Sequence, residues 1–135
     1  MTGVLLDTHV LVWLVGGDTQ LSTRARRRIA AAEAVWVSAI TPWEIGMLVA
    51  KGRLTLAKDV LEWIEEALAL PGIRLAALEP AIAVASSRLP GALPGDPADR
   101  IIAATARHLG ATLVTADEKL LAYGAAGYLS VVSAV

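Results

Sequence analysis

The chain has 135 residues, of which 56% are hydrophobic and 19% are charged, so it can bury one core and is too apolar for a disordered segment. It contains no cysteine, which excludes disulfides, thiol catalysis and thiolate metal sites. The formal net charge is −1, so any contact with nucleic acid must depend on local basic groups rather than on a generally basic surface.

Short β-like runs alternate with helical runs along the chain. From the amino terminus the predicted elements are a strand at 3–6, a helix at 8–16, a helix after Ser22, a strand at 35–38, helices at 41–52 and 58–70, a weaker strand at 73–78, a helix at 80–88, a helix from Pro97 to Gly110, a strand at 112–115, a short helix at 117–123 and a strand at 128–133. This alternation predicts an α/β fold, a single-domain α/β/α sandwich over 1–135 with a central parallel sheet. Because Asp7 and His9 interrupt the apolar start well before the ~20 residues of a membrane span, we expect a cytoplasmic protein outside the membrane.

Local signals assign roles to polar residues at two helix starts. Thr41 stands three residues before Glu44, which is the pattern of a capping box. Asp96 precedes a proline and is predicted to cap the helix that follows, whereas Asp99 is expected on the face that meets the sheet. The helix at 58–70 is amphipathic and is a candidate docking surface for a partner.

Four acidic residues stand close to predicted helix starts. Asp7 directly follows the first strand, Glu44 lies a few residues past the second, and Asp117 follows the fourth. Asp99 lies in the first turn of the helix that precedes the fourth strand. Each acid alone is explained by capping, but capping does not require several acids at one edge of one sheet, where parallel strands end together.

Carboxylates packed close together repel one another and raise one another's pKa, and a bound cation removes that cost. Oxygen ligands without cysteine suit Mg²⁺ or Mn²⁺. Such an ion can activate or align a water for attack on a phosphate. The acids therefore predict metal-assisted hydrolysis of a phosphodiester.

Each of the other polar residues near the predicted strand ends can be interpreted in two ways. Thr8, Ser38 and Thr115 either orient the carboxylates and a metal-bound water or make only local turn hydrogen bonds. The run that contains Arg24 and Arg27 is either a solvated helix face or a phosphate-contact patch.

Two further residues adjoin the acids in sequence. Arg100 follows Asp99 directly and either balances charge at the site or contacts phosphate. His9 lies two residues after Asp7 and is a candidate for RNA contact.

Three segments, "LLDTHVLVW", "SAITPWEIGMLVAKGRL" and "LPGDPADRIIAATARHLGATLVTADEKLLAYG", occur in an order that resembles the PIN-domain proteins, specifically the VapC-type toxins of toxin–antitoxin pairs. The resemblance implies an endoribonuclease that uses Mg²⁺ or Mn²⁺, forms a homodimer and is neutralised by a cognate VapB-like antitoxin. By motif, it carries the catalytic and metal-binding roles to Asp7, Glu44, Asp99 and Asp117. Ser38 is similar to the family serine.

Two other classes of function remain open from the residues alone. A receiver-like signalling domain also places acids and Mg²⁺ at the end of a parallel sheet. It needs a phosphoacceptor aspartate after a middle strand and a lysine near the last one, but the weaker strand is followed by Glu79 and no lysine follows Lys119. A non-catalytic binding module would use the acids only as caps.

Overall fold

The computed structural model describes residues 3–135 and consists of one parallel sheet with helices on both faces. The strands are β1 (Val4–Leu6), β2 (Val35–Ser38), β3 (Ile73–Ala76), β4 (Thr112–Thr115) and β5 (Val131–Ser133). The helices are α1 (Thr8–Gly16), α2 (Thr23–Ala30), α3 (Ile40–Ala50), α4 (Val60–Leu68), α5 (Pro80–Ser87), α6 (Pro97–Leu109) and α7 (Glu118–Ala125). The α/β fold with a central parallel sheet is confirmed.

The strands lie in the order β3-β2-β1-β4-β5, and every pair is parallel. Leu6 of β1 pairs with Val37 on one side and with Val114 on the other. The chain therefore builds outward from β1 to β3 and then returns to the other side with β4. Ligands of open parallel sheets bind beyond the carboxyl ends of the strands at such a reversal, here between β1 and β4.

Successive side chains of a strand point to opposite faces of the sheet, so the strands contribute residues to two separate hydrophobic clusters. Val4 and Leu6 face α1, α2 and α3, whereas Leu5 and Leu113 face α6 and α7. All five predicted strands are present, but β3 and β5 are shorter than the runs that predicted them. Both are edge strands and pair on one side only. None of the helices in residues 3–135 is long and apolar enough to cross a bilayer.

One cap prediction is confirmed and another is wrong. Asp96 caps α6, since one of its carboxylate oxygens accepts from Ala98 N at 2.9 Å and Asp99 N at 3.2 Å. Helix α3 instead begins at Ile40, and its first turn has no side-chain cap. The Thr41 side chain is turned inward and fully buried, so the capping box is absent.

Candidate active site

A cleft of about 330 Å³ opens at the carboxyl edge of the sheet. It is lined by Asp7, His9, Trp13, Glu44, Asp96, Asp99, Ala116 and Asp117. The four acids singled out in the sequence thus lie around one space, although they come from four different segments of the chain. A larger cavity of about 550 Å³ lies at the opposite edge, before β4 and β5, and no carboxylate lines it.

Asp7 follows β1 and is held by two hydrogen bonds. Its Oδ1 accepts from Thr8 N at 2.8 Å, which caps α1, and its Oδ2 accepts from Thr115 Oγ1 at 2.6 Å. The side chain is buried, and this burial raises the pKa of Asp7 despite the two hydrogen bonds. Asp7 is consequently a fixed carboxyl group whose charge is poorly compensated in the metal-free protein.

Glu44 is oriented by a pair of threonines. Thr8 Oγ1 donates to Glu44 Oε1, and the same hydroxyl oxygen lies 3.1 Å from Thr41 Oγ1. Because Thr8 has one hydroxyl proton and gives it to Glu44, Thr41 is the donor to Thr8. Burial and then the nearby charges of Asp7 and Asp96 raise the pKa of Glu44.

Asp99 lies in the first turn of α6, on the half-buried side that faces the other acids. Burial first, and then the charges of four other acids with Asp96 first among them, raise the pKa of Asp99 to about 7. No hydrogen bond from the described residues offsets this change. Asp99 is therefore the acid that the neighbouring negative charges affect most clearly.

Asp117 completes the acid cluster after β4. Its Oδ1 accepts from Lys119 N at 2.8 Å and Leu120 N at 3.1 Å, so it also caps α7. Its backbone N donates to Thr115 Oγ1 at 3.0 Å. Thr115 thereby links Asp117 to Asp7.

The three hydroxyl residues predicted to support the acids have different positions. Thr8 and Thr115 contact carboxylates of the cleft directly. Ser38 is buried at the end of β2, where its Oγ accepts from Ile40 N at 3.2 Å, and it does not line the cleft. Ser38 therefore makes the local turn hydrogen bond that was the second of its two predicted roles.

Of the residues predicted to bind RNA, His9 alone lines the cleft. Arg100 points elsewhere: its Nε donates to Ser86 O and its Nη1 to Leu93 O, both at 2.8 Å, which holds the loop before α6. Arg24 and Arg27 are exposed on α2 and do not line the cleft. A phosphate contact from these arginines stays a prediction.

Sequence reasoning missed three contributors to the cleft. Asp96 lines the cleft as well as capping α6, and Trp13 forms part of the cleft wall. Thr41 is hydrogen-bonded to Thr8, which orients Glu44. The signal for Trp13 is its spacing: it follows His9 by four residues and so lies on the same face of α1.

The donor set of the cleft fits a hard divalent cation, since five carboxylates line it and burial has raised the pKa of three. As they stand, the side chains of residues 3–135 include no group of three or more acids or histidines arranged to hold one ion. Carboxylates that line one space repel one another, and a bound cation would offset that repulsion.

Two sequence comparisons relate this chain to known proteins. Residues 4–126 match the PIN domain. The chain is 39% identical over 120 residues to Ribonuclease VapC22 of Mycobacterium tuberculosis, covering 89% of this chain and 91% of that protein.

Solved structures share the fold. A chain of DNA-bound VapBC from Salmonella typhimurium superposes with a TM-score of 0.71 at 18% identity, covering 100% of both chains. A chain of a toxin–antitoxin complex from Klebsiella pneumoniae gives 0.66 at 25% identity, covering 98% of both chains. The chain is therefore a member of the PIN-domain family, among its VapC-type ribonucleases.

Proposed function

We propose that this chain is a metal-dependent endoribonuclease that acts in the cytoplasm as the toxin of a toxin–antitoxin pair and hydrolyses RNA phosphodiesters with Mg²⁺ or Mn²⁺. The observation that carries the proposal is the convergence of Asp7, Glu44, Asp99 and Asp117 on one cleft. PIN ribonucleases are generally metal-dependent, and the relative at 39% identity is named a ribonuclease. Membership in this family also argues against the receiver-like alternative.

The proposed roles follow from how firmly each carboxyl is held. Asp7 and Asp99 would be the main ligands, because Asp7 is fixed by two hydrogen bonds and Asp99 has the least compensated charge. Glu44 and Asp117 would complete the site or hold water. When bound, the ion supplies Lewis acidity at a phosphate oxygen and lowers the pKa of a water.

In this proposal Thr115 and Thr8 orient two of the carboxylates. Thr115 donates to Asp7 and so directs the other lone pairs of that carboxylate toward the cleft, and Thr8 does the same for Glu44. Burial of both hydroxyls keeps solvent from competing for these bonds. The site would thereby keep its acids oriented before RNA arrives.

The purified protein is expected to cleave RNA when Mg²⁺ or Mn²⁺ is added and to stop when a chelator removes the ion. Cleavage is measured on labelled RNA by gel, and sequencing of the new ends identifies the cut sites. Intact RNA in both ions would contradict the activity. Intact RNA from a protein that still binds RNA would favour the non-catalytic module.

We also propose an antitoxin and a second copy of the chain as partners. The solved complexes that share the fold pair such a chain with an antitoxin. Exposed apolar residues are available for contact: Trp43 of α3 is 59% exposed and Leu61 of α4 is 61% exposed. The apolar spacing of the helix at 58–70 groups Leu61 with Val60, Ile64 and Leu68 on one stripe. In the structure Val60, Ile64 and Leu68 pack against the core, whereas Leu61 does not.

Expression of the chain alone should slow bacterial growth, and co-expression of the adjacent gene should restore it. The neutralised pair should co-purify, because the antitoxin would cover apolar surface on α3 and α4. A Leu61→Lys variant should remain toxic and lose rescue. Normal growth with the unmodified chain, together with monomeric behaviour at high concentration, would contradict both partner proposals.

A further inference from the structure

Two rings form one wall of the acid-lined cleft. His9 and Trp13 lie one turn apart on α1, directly after Asp7, and their ring centroids are 6.2 Å apart with planes tilted by 50°. His9 is exposed, whereas Trp13 is half-buried and packs partly against the core. Both rings line the same cleft as the acids. The indole is therefore held by the core on one side and available to a ligand on the other.

The negative charge of the cleft limits how its side chains can bind RNA. Five carboxylates line the cleft, and within residues 3–135 no lysine or arginine does. Arg100 directly follows Asp99 in the sequence, but its guanidinium donates hydrogen bonds to the backbone carbonyls of Ser86 and Leu93. The carboxylates of the cleft thus repel an RNA backbone, which favours contacts between the rings of the cleft and the bases of the RNA.

We propose that Trp13, with His9 beside it, is a nucleobase subsite that stacks one unpaired base of the RNA next to the acids. The proposal rests on the ribonuclease function proposed above and adds how the substrate is held. Every base has a π-face, so stacking on an aromatic ring is tolerant of sequence and favours single-stranded RNA. Purines, which have the larger face, should be held best.

The test measures RNA binding without cleavage, in an Asp99→Asn background with Mg²⁺ present. The probes are a labelled single-stranded RNA pool of random sequence and a reduced abasic RNA of the same length, which keeps the backbone and lacks the bases. Trp13→Leu removes the ring but keeps an apolar side chain for the core, and Trp13→Phe keeps a smaller ring. Trp63→Leu is the matched control, because Trp63 packs partly against the same core and does not line the cleft.

We expect Trp13→Leu to weaken binding of the base-containing pool by about tenfold, within the range of one lost stacked base, and Trp13→Phe to restore most of it. The abasic RNA should bind all variants alike. Tryptophan emission should be quenched when the pool binds, and Trp13→Phe should lose that quenching while Trp63→Leu retains it. Melting curves establish that each variant is folded.

The subsite is overturned if Trp13→Leu binds the pool as tightly as its parent, or if it loses equal affinity for the abasic RNA. Failure of the proposed function is a separate outcome. It would appear as intact RNA with the unmodified protein in Mg²⁺ or Mn²⁺, whatever the Trp13 variants do to binding.

Discussion

An Asp99→Asn variant is expected to lose RNA cleavage and, in chelator at neutral or higher pH, to melt at a higher temperature than the unmodified protein. Cleavage is lost because an amide is a poor ligand for a hard cation in place of a carboxylate. Stability rises because the ionised Asp99 carboxylate is half-buried among other acids and accepts no hydrogen bond from the described residues. Asn has nearly the same shape and carries no charge.

The pH dependence of this effect has a definite sign. The pKa of Asp99 is raised from 3.8 to about 7 in the folded protein, so between these values the folded state binds more protons than the unfolded state. The free energy of unfolding therefore falls as pH rises from about 4 to about 7. Asp99→Asn should remove that loss, so the two proteins should have similar stability near pH 4, diverge as the pH rises to about 7 and keep a constant difference above it. Allowing for solvent screening of a half-buried group, the gain is on the order of 1–2 kcal/mol, or a few degrees in Tm.

Two other acids provide the controls for Asp99. Glu118 follows Asp117 directly but is exposed and does not line the cleft, so Glu118→Gln should change neither cleavage nor the pH profile. Asp96→Ala should lose about 1 kcal/mol with the two capping hydrogen bonds and retain most of the cleavage. If Asp96→Ala were the stable, inactive variant and Asp99→Asn the active, weakened one, the roles of the two aspartates would be reversed.

The position of the acids could be predicted because it depends only on the order of strands and helices. In a parallel sheet all carboxyl ends share one edge, so Asp7 after β1 and Asp117 after β4 must be neighbours once the sheet forms. The acidic first turn of α6 follows from Pro97 and the cap before it. These are local signals combined with one rule of topology.

The directions of individual side chains could not be predicted in the same way. Arg100 adjoins Asp99 in sequence, but successive residues of a helix point about 100° apart, so its guanidinium reaches the end of α5 and the loop before α6 and not the cleft. Thr41 fits a capping box three residues before Glu44, yet it is buried against Thr8, which is 33 residues away. A local pattern contains no information about a partner so distant in the chain.

An Asp7→Asn variant and an Asp7→Ala variant are both expected to lose cleavage, but they should differ in stability in chelator. Each substitution removes the same buried charge, so the relief of desolvation cancels between them. Asn keeps an oxygen at the position that caps α1 through Thr8 N, and the Thr115 hydroxyl can rotate to accept from its amide. Ala leaves Thr8 N without that acceptor and Thr115 without its buried partner.

Asp7→Ala should consequently be less stable than Asp7→Asn by about 1–2 kcal/mol, measured by urea unfolding in chelator with cleavage assayed in parallel. Thr115→Val tests the same bond from its other end: it should destabilise the unmodified protein more than it destabilises Asp7→Ala, where Thr115 has already lost this acceptor. Equal stability of the two Asp7 variants would mean that the hydrogen bonds contribute nothing beyond the charge. Cleavage by either variant at the unmodified rate would remove Asp7 from the proposed ligands. Stability measurements can therefore distinguish the role of Asp7 from that of Asp99. Burial raises the pKa of both carboxyls, but only Asp7 also accepts hydrogen bonds that connect the end of β1 to α1 and β4.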